Sequence, residues 1–241
     1  MKAMIFSAGL GTRFKPWTDH HPKALAQVGD KSLLQRNIEY LQQYGITNVV
    51  VNVHHFADQI EAAIQHANGW GSSIQISDER NEVLETGGGL LKAETILGNT
   101  DRFLTCNVDI LTDLDISKLL AFHLENRPLI SFGVTDRPSS RQLLFNRSMQ
   151  LCGWKNNSTG EVRMSRDQSD LIARSYSCVV IFEPTIFELM RSAGFTGKFS
   201  LTDVYLRLAT EHTILGYDHS GDRFIDVGKP EAVKIAEAIF S

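Results

Sequence analysis

An apolar run at the start of the chain, Ala3-Met4-Ile5-Phe6, opens into Ser7-Ala8-Gly9-Leu10-Gly11-Thr12-Arg13, and Pro22-Lys23 follows shortly after. This is the pattern of a buried strand whose carboxyl end gives way to a loop of small residues with bare backbone N–H groups. Gly9 and Gly11 let the backbone approach an anion without a Cβ in the way, and successive N–H groups of such a turn form an anion-binding concavity. Arg13 adds a planar donor fork and Lys23 a mobile point charge. The chemistry these four residues can do together is to hold phosphate. A carboxylate belongs in the same chemistry, because phosphoryl groups are handled with a hard cation such as Mg²⁺ bound by one or two carboxylates and by the phosphates themselves. Asp109 ends the apolar run Arg102-Phe103-Leu104-Thr105-Cys106-Asn107-Val108 and is placed for that role.

Two common phosphate motifs are absent. Gly9-x-Gly11 lacks the third glycine of a dinucleotide fingerprint, and no Gly-x-x-x-x-Gly-Lys-Ser/Thr occurs. A second glycine-rich stretch, Glu85-Thr86-Gly87-Gly88-Gly89, precedes the helix-forming run Leu90-Leu91-Lys92-Ala93. Three consecutive glycines permit close approach of another molecule, and a helix beginning there presents free N–H groups.

The elements that must position these residues alternate as a wound sheet requires. Ser32 to Leu41 has apolar residues at helical spacing and is stopped by Gly45, and Ala57 to Ile64 reads as a second helix. Asn48 to Val53 is a β-branched run, and Ser73 to Ser77 alternates, so both read as strands. The result is an α/β chain, a Rossmann-like three-layer sandwich with a central, mostly parallel sheet, whose ligands sit beyond the carboxyl ends of the strands. Leu129 to Asp136 and Ser175 to Phe182 are further strands, and Arg141–Phe145 with Leu151–Lys155 form a hairpin. Thr202 or Asp203 caps a helix, and Pro230 opens the last one. Asp78 and Glu79 are read as a solvated acidic strand end, and Asp113 and Asp115 as solvated or helix-capping residues.

With 241 residues, 42% of them hydrophobic and 22% charged, the chain can bury one sizeable core, and a single domain is expected. A net charge of −4 supplies no field that would attract nucleic acid or an anionic membrane surface. No basic-then-apolar leader and no run of membrane-spanning length is present, which predicts a cytoplasmic chain. Cys106, Cys152 and Cys178 are far apart and odd in number, fitting a reducing compartment, and are expected in or near the core. His20-His21 and His54-His55 cannot share a face as neighbours and read as solvated loop residues.

The set Gly-x-Gly-Thr-Arg-x-x-Pro with Pro22-Lys23 resembles the sugar-1-phosphate nucleotidyltransferase family, and the resemblance extends over nearly the whole chain. Further support comes from Glu85 to Asp109 and from Asp226-Val227-Gly228-Lys229-Pro230, which resembles the family's late Trp-x-Asp-Val/Ile-Gly-x-Pro motif with Phe224 in place of Trp. The resemblance implies a GT-A-like nucleotidyltransferase fold with a nucleotide-binding half at 1–115 and a sugar-phosphate-binding half at 116–241. It implies that Ala8, Gly9, Gly11, Thr12, Glu85, Gly87, Gly88 and Asn107 bind the nucleotide. Arg13 would stabilise the leaving pyrophosphate, Lys23 the α-phosphate, and Asp109 with Asp226 would hold Mg²⁺. The family's Glu-Lys-Pro, whose lysine meets the sugar phosphate, is missing; Trp154-Lys155-Asn156 is the nearest counterpart, making Lys155 the sugar-phosphate candidate. Cys178 stands where the family usually has glycine in its sugar-binding strand. The chain most resembles the short mannose-1-phosphate guanylyltransferase and N-acetylmuramate-1-phosphate uridylyltransferase branch, so the expected partners are a nucleoside triphosphate, GTP or UTP, and a sugar 1-phosphate. The competing readings are an inert nucleotide-sugar-binding regulatory module and a GT-A glycosyltransferase. The latter usually carries Asp-x-Asp where this chain has Asn107-Val108-Asp109, and two matched aspartates disfavour an inert pocket.

Overall fold

The computed structural model describes residues 1–240. In chain order its elements begin with β1 (Lys2–Phe6), 3-10 turns at Thr12–Phe14, Trp17–Asp19 and Lys23–Leu25, β2 (Gln27–Val28), β3 (Lys31–Ser32), α1 (Leu33–Gln42), β4 (Asn48–Val53) and α2 (Ala57–His66). They continue with β5 (Ser73–Asp78), α3 (Glu85–Lys92), α4 (Glu94–Leu97), β6 (Phe103–Asn107), β7 (Ile110–Thr112), α5 (Ile116–Asn126) and β8 (Ile130–Thr135). The remainder comprises β9 (Arg141–Phe145), β10 (Leu151–Asn156), β11 (Val162–Met164), β12 (Ile172–Phe182), α6 (Ile186–Ser192), α7 (Leu201–Leu208), β13 (Ile214–Asp218), β14 (Phe224–Asp226) and α8 (Glu231–Phe240).

The central sheet runs in the order β5-β4-β1-β6-β12-β8-β13, and every strand in it is parallel to the others except β12. The early part of β12 also pairs with β9, which carries β10 and β11 outward as an antiparallel extension. Strand alternation divides the core between the two faces of the sheet. In β1, Ala3 and Ile5 pack into one apolar cluster with Leu34, Ile38 and Ile60 of α1 and α2, while Met4 and Phe6 enter the other with Phe103, Phe132 and Tyr205. Each large apolar side chain fully buried in these clusters contributes about 1.5–3 kcal/mol. The expected α/β sandwich is thus present, and the single reversed strand lets the sheet grow a hairpin on its far side. Among the described residues no helix is long and apolar enough to cross a membrane.

Local signals explain most helix boundaries. Ser32 Oγ accepts from Gln35 N at 3.1 Å and starts α1, and Gly45, at φ +71°, follows its end. Asp115 caps α5 by accepting from Ser117 N at 2.9 Å. For α7 the cap is Ser200, whose Oγ accepts from Asp203 N at 3.2 Å, rather than Thr202 or Asp203.

The triple glycine departs from expectation. Gly87, Gly88 and Gly89 lie inside α3, not in a loop ahead of it, and all three are buried. A Cβ at Gly87 would collide with the Phe199 ring, one at Gly88 with the Gly197 carbonyl, and one at Gly89 would sit 2.6 Å from Glu79 Oε1. The expected free amides are also taken, since the N–H groups of Gly87 and Gly88 donate to the Phe199 carbonyl at 2.9 and 3.3 Å. These glycines let α3 lie directly on the 197–199 segment of the second half. Gly88→Ala, which must move a backbone carbonyl, is expected to destabilise the fold by about 1–3 kcal/mol, lowering Tm by about 2–4 °C per kcal/mol. Gly9→Ala, whose Cβ meets nothing within 4 Å, should leave Tm unchanged in the same thermal melts.

Candidate active site

The carboxyl ends of β1, β4, β5 and β6 point the same way, and the loops that leave them enclose a cleft of about 400 Å³. Ala8, Gly9, Gly11, Thr12, Arg13, Lys23, Glu85, Asn107 and Asp109 all line it, as does Gly228. Gly87 and Gly88 do not, because they are spent on packing α3 against Phe199 and Gly197. Through that packing they set where Glu85 and Thr86, at the start of α3, meet the cleft.

The glycine loop is held from below by residues the sequence did not single out. Asn52, at the end of β4, is buried; its Oδ1 accepts from Ser7 N at 2.7 Å and Ala8 N at 3.3 Å, and its Nδ2 donates to Glu79 Oε1 at 2.8 Å. Glu79 Oε2 accepts from Leu84 N at 3.3 Å. Glu79 is only 1% exposed, so the expectation of a solvated acid is corrected: burial raises its pKa, partly offset by the Asn52 and Leu84 bonds. Asp78 beside it is exposed and paired with Arg80. A signal for Asn52 existed, a lone amide inside Val49-Val50-Val51-Asn52-Val53, since a polar side chain in a buried strand must find partners. With Ser7 and Ala8 tied to Asn52, the amides of Gly9, Leu10 and Gly11 donate to nothing among the described residues and remain open to an anion.

Gly11 sits at φ +60°, and its carbonyl accepts from Thr18 Oγ1 at 2.9 Å. A Cβ there would lie 2.8 Å from Thr18 Cγ2 and 3.2 Å from Lys23 Cβ, so only glycine lets the loop fold back onto the turn that carries Lys23. That turn aims the Lys23 ammonium at Asp109, with Nζ 2.5 Å from Oδ2 and the two side chains 10% and 22% exposed.

Asp226 reaches the same place through a separate two-stranded ribbon. β14 pairs antiparallel with β7, setting Asp226 opposite Ile110, and Val227 N donates to the Asp109 carbonyl at 2.8 Å. Asp226 is not itself among the residues lining the cleft; burial raises its pKa, and the Asp109 charge raises it further, while Lys23, Arg13 and Arg137 pull it back. Arg13 closes the group: a Cβ on Gly228 would lie 2.7 Å from Asp226 Oδ1 and 2.9 Å from Arg13 Nη2. Two carboxylates and two cations thus converge, with the free loop amides beside them.

Other candidates fall elsewhere. Lys155 lies on β10 opposite Gln142 and Val162, three strand positions from β6 and so about 14 Å away at the usual spacing, and does not line the cleft. Cys178 takes φ +59° within the irregular stretch of β12 between Tyr176 and Val180, the left-handed conformation that glycine favours, which accounts for glycine at the matching position of the family. Burial pushes the Cys178 thiol far up and the Cys106 thiol up to about 12, so neither is a thiolate at neutral pH. His20, His21 and His55 are exposed as expected, whereas His54 is half-buried and its Nδ1 meets the Glu79 carbonyl at 2.7 Å.

Comparison with known proteins agrees with this geometry. The profile of the nucleotidyl transferase family matches residues 2–142. N-acetylmuramate alpha-1-phosphate uridylyltransferase of Caulobacter vibrioides is 32% identical over 249 residues, spanning 98% of this chain and 95% of that protein. Mannose-1-phosphate guanyltransferase of Aspergillus fumigatus is 35% identical over 143 residues, 58% of this chain and 39% of that protein. The crystal structure of HddC from Yersinia pseudotuberculosis complexed with GMP-PN shares the fold, with a TM-score of 0.77 over 100% of this chain and 99% of that one at 22% identity. The resemblance carried by the glycine loop and the two strand-end aspartates is borne out: the chain belongs to the nucleotidyl transferase family, in its sugar-1-phosphate nucleotidyltransferase branch.

Proposed function

We propose that the protein transfers a nucleoside monophosphate from UTP or GTP to a sugar 1-phosphate, releasing pyrophosphate in an Mg²⁺-dependent reaction. The observation that carries this reading is the convergence of Arg13, Lys23, Asp109 and Asp226 beside open loop amides at the carboxyl end of the sheet. An oxygen of the sugar phosphate attacks the α-phosphorus, the bond to the bridging oxygen breaks, and its electron pair leaves with pyrophosphate. The attacking oxygen is already ionised at neutral pH, so no general base is required, and catalysis rests on positioning and charge neutralisation. The amides from Gly9 to Gly11, with Thr12, take the triphosphate, Arg13 meets the charge that develops on the leaving pyrophosphate, and Lys23 turns from Asp109 to the α-phosphate. Ala8, Glu85 and Asn107 line the part of the cleft left for the nucleoside. UTP is the first triphosphate to test, because the relative from Caulobacter vibrioides that spans 98% of this chain is a uridylyltransferase.

The residues present fit Mg²⁺. Asp109 and Asp226 offer hard oxygen donors, burial and then the neighbouring Asp109 charge raise Asp226, and an ammonium already stands against Asp109 in the place of a cation. Two carboxylates are the number expected of a site whose remaining ligands are phosphate oxygens and water. Mg²⁺ held there would neutralise the triphosphate and draw charge from the α-phosphate.

Pyrophosphate release with four nucleoside triphosphates, crossed against N-acetylmuramate 1-phosphate, mannose 1-phosphate and glucose 1-phosphate, tests the reading directly. One triphosphate with one sugar phosphate should stand well above the rest, and release by no pair would overturn it. Asp109→Asn and Asp226→Asn should each lower kcat by about a hundredfold or more while thermal melts stay near wild type. An Asp226→Asn enzyme with unaltered rate and magnesium dependence would remove Asp226 from the metal site. Arg13→Ala should lower kcat more than it raises the nucleotide KM, since its charge is matched to the leaving group; a KM effect alone would assign Arg13 to ground-state binding.

A further inference from the structure

Two phosphates must meet in this reaction, and the cations lining the cleft, Arg13 and Lys23, both come from the first half of the chain. A further cation, Arg137, lies near Asp226, beyond the residues that line the cleft. Arg137 follows β8 and is half-buried. It donates from Nη1 to Thr135 Oγ1 at 2.7 Å and to the Ser175 carbonyl at 3.5 Å, and from Nη2 to the Tyr176 carbonyl at 2.6 Å. Its own carbonyl accepts from Ser175 Oγ at 2.6 Å, and its Cζ lies 3.7 Å from the centre of the Phe224 ring. The guanidinium is therefore clamped between the irregular stretch of β12 and the face of an aromatic ring. No carboxylate among the described residues forms an ion pair with it, although burial works against its charge. Of its five N–H donors, the three bonds use two on Nη1 and one on Nη2, leaving Nε–H and one Nη2 hydrogen without a partner. Arginine donors in adjacent pairs have the spacing for two oxygens of one phosphate.

Its position follows from strand geometry. Phe224 and Asp226 are two apart on β14, so their side chains leave the same face of the ribbon about 7 Å from one another. Arg137, stacked on Phe224, stands on the face from which Asp226 projects, and Arg13 comes to the same carboxylate at Gly228. The Arg137 charge is felt at Asp226, and the Asp226 charge at Arg137. We propose that Arg137 is the binding residue for the phosphate of the sugar 1-phosphate, holding it through its unpartnered Nε and Nη2 hydrogens beside Asp226. Lys155, three strands out, has no comparable anchorage. The inference rests on the reading of the cleft as one that joins two phosphates.

The test uses the full chain with Arg137→Lys, which keeps a charge but not the fork, Arg137→Gln, and Lys155→Ala. Steady-state kinetics with the best pair from the substrate panel are run beside calorimetric titration of the three sugar 1-phosphates into each protein, with thermal melts to confirm folding. Both Arg137 variants should raise the sugar-phosphate KM by about ten- to a hundredfold, with Arg137→Lys less affected, while the nucleotide KM stays within about twofold. Calorimetry should show the same selective weakening. Equal changes in both KM values, a fall in Tm with kinetics preserved, or a selective loss in Lys155→Ala with none at Arg137 would overturn the assignment. Should wild type release no pyrophosphate with any pair, the proposed function fails, and calorimetry still decides on Arg137: sugar-phosphate binding lost in Arg137→Gln supports it, and binding unchanged by that variant or absent from wild type overturns it.

Discussion

Asp109 and Asp226 carry like charge and are held side by side by backbone hydrogen bonds that do not let them part. One follows β6 of the main sheet, the other ends β14, and the β7·β14 ladder together with the Val227 N to Asp109 carbonyl bond locks their spacing. Left alone, such a pair would relax by taking up a proton or by separating. The surrounding chain is arranged to supply positive charge instead: Lys23 against Asp109, Arg13 over Gly228, and Arg137 on Phe224. Each of these cations needs its own mechanical support, which is where Gly11, Thr18 and the irregular stretch of β12 enter. The apolar core on both faces of the sheet is what keeps four strand ends in register so that this small cluster of charges can persist.

A second constraint runs from the floor of the cleft to the second half of the chain. Asn52 joins the amides of Ser7 and Ala8 to the carboxylate of Glu79, and Glu79 in turn lies against Gly89 of α3. The same helix rests on Phe199 and Gly197. The glycine loop is thus connected through one buried amide and one buried acid to a helix seated on the other half. Buried polar networks of this kind are costly unless every member is satisfied, and here the carboxylate and amide partners are matched.

Legibility in the sequence followed the locality of the interactions. The strand–loop pattern around Gly9 and Gly11 and the strand-end Asp109 could be read because each depends on a few consecutive residues, as could the Ser32 and Asp115 helix starts. Gly87 to Gly89 were read as a loop because glycine costs about 1 kcal/mol per residue in a helix, and only contact with Phe199, Gly197 and Glu79, distant in sequence, reverses that preference. Glu79 was read as solvated because its partner Asn52 lies on another strand. Arg137 carried no local signal at all: its ring partner Phe224 and its carbonyl partners on β12 come from elsewhere in the chain. The replacement of the family's glycine by Cys178 was visible, but the left-handed backbone that explains it was not.

The contact between Lys23 and Asp109 means that the cleft carries its own counter-ion. If Lys23 serves the triphosphate as proposed, an incoming nucleotide would not meet a bare positive site; it would compete with an internal carboxylate for the ammonium and release that carboxylate as it won. Affinity for the nucleotide is then a difference between two ion pairs rather than the strength of one. The exchange also makes the liberation of Asp109 conditional on the arrival of phosphate. On the proposed roles, a cation drawn to Asp109 and Asp226 would find both carboxylates available only once phosphate had taken the lysine, so the two occupants would favour each other through a single side chain.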